Sequence, residues 1–143
     1  MNDRGAALEA LFTHIAQARM QGVPVLNDRL RVQAIGFEDD AQGAAVGVLV
    51  TPWFMNLVWL PPKSPAHPPA EQVPPAAVGE TRLRRVGTEV FPFIGAHEDG
   101  FGAYEACSLF SPMFEFDDHD AALATARAVL DALRAPPPLA APP

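Results

Sequence analysis

Proline is unevenly distributed along this chain, and its distribution limits where regular structure can form. Seven of the sixteen prolines lie between positions 61 and 75, and five more lie between positions 136 and 143. Proline fixes φ and has no backbone N–H, so neither segment can form a helix interior or a central strand. The pattern predicts one folded domain over residues 1–134, which includes an exposed Pro-rich loop at 61–77, and then a disordered Pro-rich tail at 135–143.

Outside the Pro-rich segments, the sequence changes from a helical pattern to strand-like patterns and back. Leu8, Leu11, Phe12 and Ile15 recur at helical spacing and predict an amphipathic N-terminal helix. Residues 121–134 predict a second helix, preceded by aspartates that can cap its N-terminus. Short runs rich in β-branched and aromatic residues predict strands at 31–37, 44–51, 54–60, 81–86, 88–94 and 104–110. We therefore predict an α+β fold, in which a mostly antiparallel sheet is flanked by an N-terminal and a C-terminal helix.

One of these predicted strands, at 88–94, contains Pro92. A proline cannot donate to a strand ladder, so prolines in sheets are found at edges or bulges. We expect this strand to lie at an edge of the sheet or to be bulged.

The charge and the cysteine content narrow the classes of function. The formal net charge is −7, and an acidic chain repels a phosphate backbone, so we predict no nucleic-acid partner. Cys107 is the single cysteine, which fits a reducing compartment. The N-terminus lacks the apolar stretch of a secretory signal, and no apolar run reaches the roughly 18 residues that span a bilayer. We expect a cytoplasmic protein that does not insert into a membrane.

The sequence contains no recognisable catalytic or metal-binding constellation. The four histidines fit no HxxxH or HExxH spacing, and the single cysteine cannot form a CxxC pair. Ser108 and Ser111 lack the G-x-S-x-G elbow of hydrolases. We predict a non-enzyme with no cofactor and no metal site. The alternative is a small metal- or thiol-dependent accessory enzyme that uses Cys107 together with a histidine.

Two apolar runs stand out: TPWFMNLVWLPP at Thr51–Pro62 and CSLFSPMFEF at Cys107–Phe116. Such runs are typical of core strands. However, Pro52 and Pro112 interrupt the ladder, and Asn56 needs hydrogen-bond partners if it is buried. Methionines are common on surfaces that accept varied apolar partners. We therefore expect part of each run to form a surface patch or groove that contacts another protein.

The two runs resemble the signature stretches of the HybE family, also called HupJ, of accessory proteins for nickel-iron hydrogenase assembly. The similarity extends over roughly residues 8–134, with the helix, strands and motifs in the same order. The Pro-rich insert and tail depart from the family pattern.

The resemblance implies a non-catalytic chaperone that binds nickel-iron hydrogenase subunit precursors in the cytoplasm. It also implies that the chaperone delays export through the twin-arginine pathway, and the signal peptide of the small subunit is one candidate target. An acidic protein with an apolar groove could take both the arginines and the apolar stretch of such a signal. A subunit that stays in the mature complex, and a homodimer formed through the same surface, remain alternatives. The expected partner-binding residues are Trp53, Phe54, Met55, Asn56, Cys107, Ser108, Phe110, Ser111, Met113 and Phe114.

Overall fold

In the part of the chain that this computed structural model describes, two helices flank one six-stranded sheet. The structure describes residues 3–20, 22–24, 26–40, 43–62 and 76–134. The predicted tail at 135–143 and most of the predicted Pro-rich loop at 61–77 lie outside these residues. The helices are α1 (Asp3–Ala18) and α2 (His119–Arg134). The strands are β1 (Gln33–Asp39), β2 (Ala45–Val50), β3 (Met55–Leu60), β4 (Thr81–Val86), β5 (Glu89–Glu98) and β6 (Gly102–Phe110).

The strand order is β1-β2-β3-β6-β5-β4, and every pair of neighbouring strands is antiparallel. Four of these pairs are consecutive in the chain and form hairpins or short connections. The fifth pair joins β3 to β6, which brings the two apolar runs side by side in the centre of the sheet. The predicted fold class, an antiparallel sheet flanked by an N-terminal and a C-terminal helix, is confirmed.

Each face of the sheet packs on one helix, because successive side chains of a strand point to opposite faces. On one face, Leu8 and Phe12 of α1 join a cluster with Val58 of β3. On the other face, Leu130 of α2 joins a larger cluster that contains Leu57 of β3. Neighbouring residues of one strand thus belong to two separate hydrophobic cores.

The sheet curves around α2. At Gly36 in β1, where φ is +68°, an added Cβ would lie 2.7 Å from a methyl carbon of Leu130. At the far side of the sheet, Gly87 in the β4–β5 turn approaches α2 so closely that a Cβ would lie 1.7 Å from the Leu133 carbonyl oxygen. We call the face packed on α2 the concave face and the face packed on α1 the convex face.

The convex face is only partly covered by α1. Leu83 of β4 is 70% exposed, and Val90 and Ile94 of β5 are 49% and 52% exposed. These side chains lie close together, because Leu83 pairs with Pro92 and the two β5 residues flank that proline on the same face. The β4–β5 side of the convex face therefore presents apolar side chains to solvent.

The strand containing Pro92 was expected to lie at an edge of the sheet or to be bulged. As a whole β5 is neither, since it lies between β6 and β4 and its registers with both are regular. The pairing of β5 with β6 extends from Ile94–Ala106 to Glu98–Gly102. Pro92 precedes this stretch and pairs with Leu83 of β4. Its missing N–H thus falls outside the part of β5 that pairs with β6, so the physical rule holds locally although the strand is interior.

A buried ion pair links β4 to β6 on the concave face. The Glu105 side chain is fully buried, and its two oxygens accept hydrogen bonds from Nε and Nη2 of Arg84 at 2.6 and 2.8 Å. The Ala76 amide donates to the same carboxylate, and the guanidinium of Arg84 lies 3.5 Å from the centroid of the Trp59 ring. Burial raises the pKa of Glu105, but these hydrogen bonds outweigh it, so the pKa lies below its ordinary value. The second tryptophan of the first run is therefore structural.

Removal of Arg84 should destabilise the fold, because Glu105 would keep its charge without a partner. We expect Arg84→Ala to lower the free energy of unfolding by about 2–3 kcal/mol, somewhat less than for a fully enclosed pair because the Arg84 side chain is 22% exposed. Urea denaturation followed by circular dichroism measures this change. The matched control is Arg85→Ala, at the exposed neighbouring position, for which we expect a change within about 0.5 kcal/mol. Equal effects of the two substitutions would contradict a stabilising role for the buried pair.

Candidate partner-binding surface

The first apolar run turns sharply between β2 and β3, at residues 51–54. The hydroxyl oxygen of Thr51 accepts hydrogen bonds from the amides of Trp53 and Phe54, at 3.1 and 2.9 Å. The Thr51 amide donates to the Phe54 carbonyl at 2.8 Å, which closes the hairpin. Pro52 fits here because no ladder hydrogen bond is needed from its nitrogen. Trp53 and Phe54 are thereby placed in a turn, where their rings remain half-buried.

The two rings of this turn pack on α1. Phe54 meets Phe12 edge to face, with ring centroids 5.7 Å apart, and Trp53 meets Phe54 in the same manner at 5.4 Å. Tyr104 of β6 contacts Phe12 from the other side at 6.3 Å. Each such pair contributes about 0.5–1.5 kcal/mol beyond its buried area. The aromatic cluster therefore holds the rings of the turn in fixed orientations.

Asn27 joins the first run to the second. Its side-chain amide donates to the carbonyls of Met113 and Phe116, both at 2.9 Å, and its own backbone amide donates to the Pro52 carbonyl at 2.8 Å. Asn27 is 8% exposed, so these hydrogen bonds satisfy groups that have little access to water. One residue in the connection between α1 and β1 thus holds the turns of both runs at the same end of the sheet, the first through its backbone amide and the second through its side chain.

The structure brings together some of the predicted partner-binding residues and separates others. A groove between α1 and β5 on the convex face is lined by Trp53, Phe54, Asn56 and Ser108. Asn56 and Ser108 are paired across β3 and β6 and form part of its floor. Ser111 and Phe114 are exposed in the turn that follows β6.

Four of the predicted residues lie on the concave side instead. Met55 and Met113 are fully buried there, and Cys107 and Phe110 are half-buried against the same core. For Met55 and Cys107 the reason is the alternation of side chains along a strand, since Met55 precedes Asn56 and Cys107 precedes Ser108. Phe110 pairs with Met55 across an irregularity in the β3–β6 register, which places it on the same side. The two methionines pack in the core and do not form a surface for varied partners, which corrects the surface role expected of them.

The groove has a volume of about 440 Å³ and a mainly apolar lining, in which Asn56 and Ser108 are polar positions of the floor. Val58, Ala106 and Ile94 supply apolar surface from three adjacent strands. At one end, the guanidinium of Arg19 pairs with the carboxylate of Glu98 at 2.9 Å. The groove continues past Ile94 onto the exposed apolar residues of β4 and β5 described above.

The sequence did not identify the contributions of Phe12, Tyr104 and Ile94 to this groove. Phe12 was expected only as part of a helical core stripe, and Tyr104 and Ile94 as ends of strands. Burial raises the pKa of Tyr104 to about 12, and the nearby Glu98 carboxylate adds to the increase. The signal that could have revealed Ile94 is the alternation within β5, which places it on the face opposite the buried Phe93.

Cys107 has the properties of a structural thiol. Burial raises its pKa, whereas a nucleophilic or metal-binding cysteine requires a lowered pKa. Within the described parts of the chain, no three His, Cys, Asp or Glu side chains come close enough together to hold a metal ion. These observations give no support to the alternative in which Cys107 performs chemistry.

His119 is buried at the start of α2 and connects that helix to the start of β1 and the residues just before it. Its Nδ1 accepts a hydrogen bond from the Arg31 amide at 3.2 Å, and its Nε2 lies 3.0 Å from the side-chain oxygen of Gln33. An Nδ1 acceptor and an Nε2–H donor define a neutral imidazole. Burial lowers the pKa of His119, and the charge of Arg31 lowers it further.

A family model described as NiFe-hydrogenase assembly, chaperone, HybE matches residues 3–143. This chain belongs to the HybE family. Protein HoxT of Cupriavidus necator is 49% identical over 148 residues, which cover 99% of this chain and 81% of that protein. Hydrogenase expression/formation protein HupJ of Bradyrhizobium diazoefficiens is 39% identical over 132 residues, which cover 92% of this chain and 72% of that protein.

The solution structure of HybE from Escherichia coli has the same fold. Its TM-score is 0.68 at 22% sequence identity, and the match covers 98% of this chain and 86% of that chain. Among the described residues of this HybE-family chain, no helix is long and apolar enough to cross a membrane. The family assignment made from the two apolar runs is thus confirmed, and with it the general role in hydrogenase assembly.

Loss of the Asn27 side chain should loosen the turn of the second run. Asn27→Ala leaves the carbonyls of Met113 and Phe116 without their donor, so we expect the free energy of unfolding to fall by about 1–3 kcal/mol. Amide hydrogen exchange should accelerate selectively in residues 113–116, whereas residues 51–54 keep the hydrogen bond from the Asn27 backbone amide to Pro52. Asn56→Ala removes the same side chain from the groove floor and serves as control, with no selective acceleration in 113–116. Uniform acceleration in both variants would contradict the bridging role.

Protonation of His119 should oppose folding. Because its pKa is lower in the folded chain than the ordinary value of about 6.5, the unfolded chain binds the proton more readily. The stabilisation is therefore complete above about pH 6.5 and declines as the pH falls towards the lowered pKa. We expect the unfolding free energy of His119→Asn to decrease less between about pH 7 and pH 5 than that of the unsubstituted chain. The control is His97→Asn, at a side chain that is 51% exposed. Its unfolding free energy should decrease over this pH range as much as that of the unsubstituted chain.

Proposed function

We propose that this protein is a cytoplasmic chaperone that binds nickel-iron hydrogenase subunit precursors through the groove between α1 and β5. The general role follows from membership of the HybE family. The observation that supports the location is that residues of both apolar runs, among them Trp53 and Ser108, line one open groove whose lining is mainly apolar. Grooves of this kind accept apolar segments that are not yet packed in a folded partner.

The proposed occupant is a precursor segment that has an apolar stretch and positive charge, such as a twin-arginine signal peptide of the small subunit. The net charge of −7 favours approach of a cationic segment over long range. A bound signal peptide would be withheld from the export machinery until cofactor insertion is complete. In this proposal the protein binds its partner and catalyses no reaction. The raised pKa of Cys107 supports this, because a catalytic thiol requires a lowered pKa.

Capture of precursors by the tagged protein tests this proposal. Ser108→Glu places a carboxylate on the groove floor, where a bound apolar segment would desolvate it, so we expect at least a tenfold loss of captured precursor. Ser111→Glu adds the same charge at an exposed serine of the turn after β6 and should leave capture unchanged. Quantitative mass spectrometry of pull-downs from hydrogenase-expressing cells measures both precursor and mature subunits.

Three results of the pull-down would contradict the proposal. Absence of hydrogenase subunits in the wild-type sample would contradict precursor binding itself. Equal capture by both serine variants would exclude the groove as the binding surface. Preferential recovery of mature, active hydrogenase would favour a permanent subunit over a chaperone.

A further inference from the structure

Alternate residues of β5 form a continuous row on the convex face. Glu98 is at one end of this row, and Ala96, Ile94, Pro92 and Val90 follow towards the other end. Ile94 and Val90 are about half exposed, and Leu83 of β4 lies beside Pro92. The row therefore consists of one carboxylate followed only by apolar side chains.

The carboxylate at the end of this row already binds a guanidinium from the same chain. Arg19, just after the end of α1, donates from Nη2 to Oε2 of Glu98 at 2.9 Å and from Nη1 to Oε1 at 3.4 Å. The Arg19 side chain is 59% exposed, whereas that of Glu98 is 21% exposed. Ion pairs that are open to water contribute little to stability, so Arg19 can leave Glu98 at small cost.

We propose that an arginine of the bound segment replaces Arg19 on Glu98, while apolar residues of the same segment lie along the β5 row. This inference rests on the proposed function and specifies what the groove recognises. Glu98 provides two carboxylate oxygens in the fork geometry that suits a guanidinium, so arginine is bound in preference to lysine. Arg19 then acts as an internal competitor that occupies the carboxylate when no partner is bound.

The geometry also sets the spacing of the occupant's residues. Ile94 lies about 13 Å from Glu98 along β5, and Val90 lies about 26 Å from it, at roughly 3.3 Å per residue. An extended segment thus reaches these two side chains about four and eight residues from its arginine. The exposed row ends near the β4–β5 turn, so the recognised unit is one arginine with an adjoining apolar stretch.

Binding of synthetic peptides, measured by fluorescence anisotropy, tests this inference. The probe is a labelled peptide of about twelve residues in which one arginine is followed by leucines at the fourth and eighth positions, with serines between them. Its partner probes carry lysine or glutamine in place of the arginine. We expect the arginine peptide to bind about tenfold more tightly than the glutamine peptide, with the lysine peptide in between.

Substitutions at the two charged residues should have opposite effects. Glu98→Gln should weaken binding of the arginine peptide about tenfold and remove the difference between the arginine and glutamine peptides. Arg19→Gln should strengthen binding of the arginine peptide about two- to fivefold, because the internal competitor is lost. Glu38→Gln is the matched control, since Glu38 pairs with Arg134 near α2, and it should leave binding unchanged.

The outcomes separate this inference from the proposed function. If precursor capture depends on Ser108 but all three peptides bind every variant equally, or none binds, recognition through Glu98 is overturned and the groove remains the binding surface. A weaker affinity for Arg19→Gln would also overturn the competitor role. If neither precursors nor peptides bind the wild-type protein, both proposals fail.

Discussion

The hydrogen bonds of Asn27 are the constraint on which the arrangement of the two apolar runs depends. They connect a residue between α1 and β1 to the turn at Pro52 and to the carbonyls of Met113 and Phe116, far apart in the chain. The pairing of β3 with β6 aligns the two strands but does not fix the turns beyond their ends. Because its side chain donates to two carbonyls of the second run and its backbone amide donates to the Pro52 carbonyl, either turn can move only by leaving a polar group unsatisfied. The position of Trp53 and Phe54 relative to the groove is therefore determined by a residue outside both runs.

The two apolar runs contribute both to the core and to the groove, because successive side chains of a strand point to opposite faces of the sheet. Met55 and Leu57 of β3 are buried in the core on the concave face. Their packing fixes the position of the β3 backbone, and therefore the position of Asn56 on the opposite face, in the groove. The same relation holds for Cys107 and Ser108 in β6. A close-packed interior tolerates little displacement, so the strands that form the groove floor are held rigidly by the core on their other face. A substitution at Met55 would thus alter the groove without contacting anything bound in it.

The sequence allowed the element order and fold class to be predicted, because each element has a strong local period and clear boundaries. The strand at Thr81–Val86 coincides with β4, and the last helix begins within two residues of the predicted position. The predicted strand at 88–94 continues to Glu98 in β5, because a hairpin with β6 depends on backbone pairing more than on side-chain polarity. The pairing of β3 with β6 could not be predicted, since it joins segments about fifty residues apart and no local pattern encodes it. The face on which each run residue lies depends on that register, so Met55 and Asn56 could not be told apart beforehand.

The incomplete cover of the convex face has a functional consequence. An exposed apolar row such as Ile94 and Val90 would by itself associate with many unfolded segments or with a second copy of the chain. Specificity requires a feature that disfavours such partners as well as one that attracts the correct one. In the proposed mechanism, Arg19 disfavours the wrong partners. A segment without an arginine either leaves the Arg19–Glu98 ion pair in place at the end of the groove, or breaks that pair and provides no new partner for Glu98. A segment with an arginine exchanges one guanidinium for another, so the carboxylate is never left unpaired, and the apolar contacts are retained as net binding energy. The exchange of one arginine for the other is also reversible, as a chaperone requires, because Arg19 stays close to Glu98 and can pair with it again when the partner dissociates.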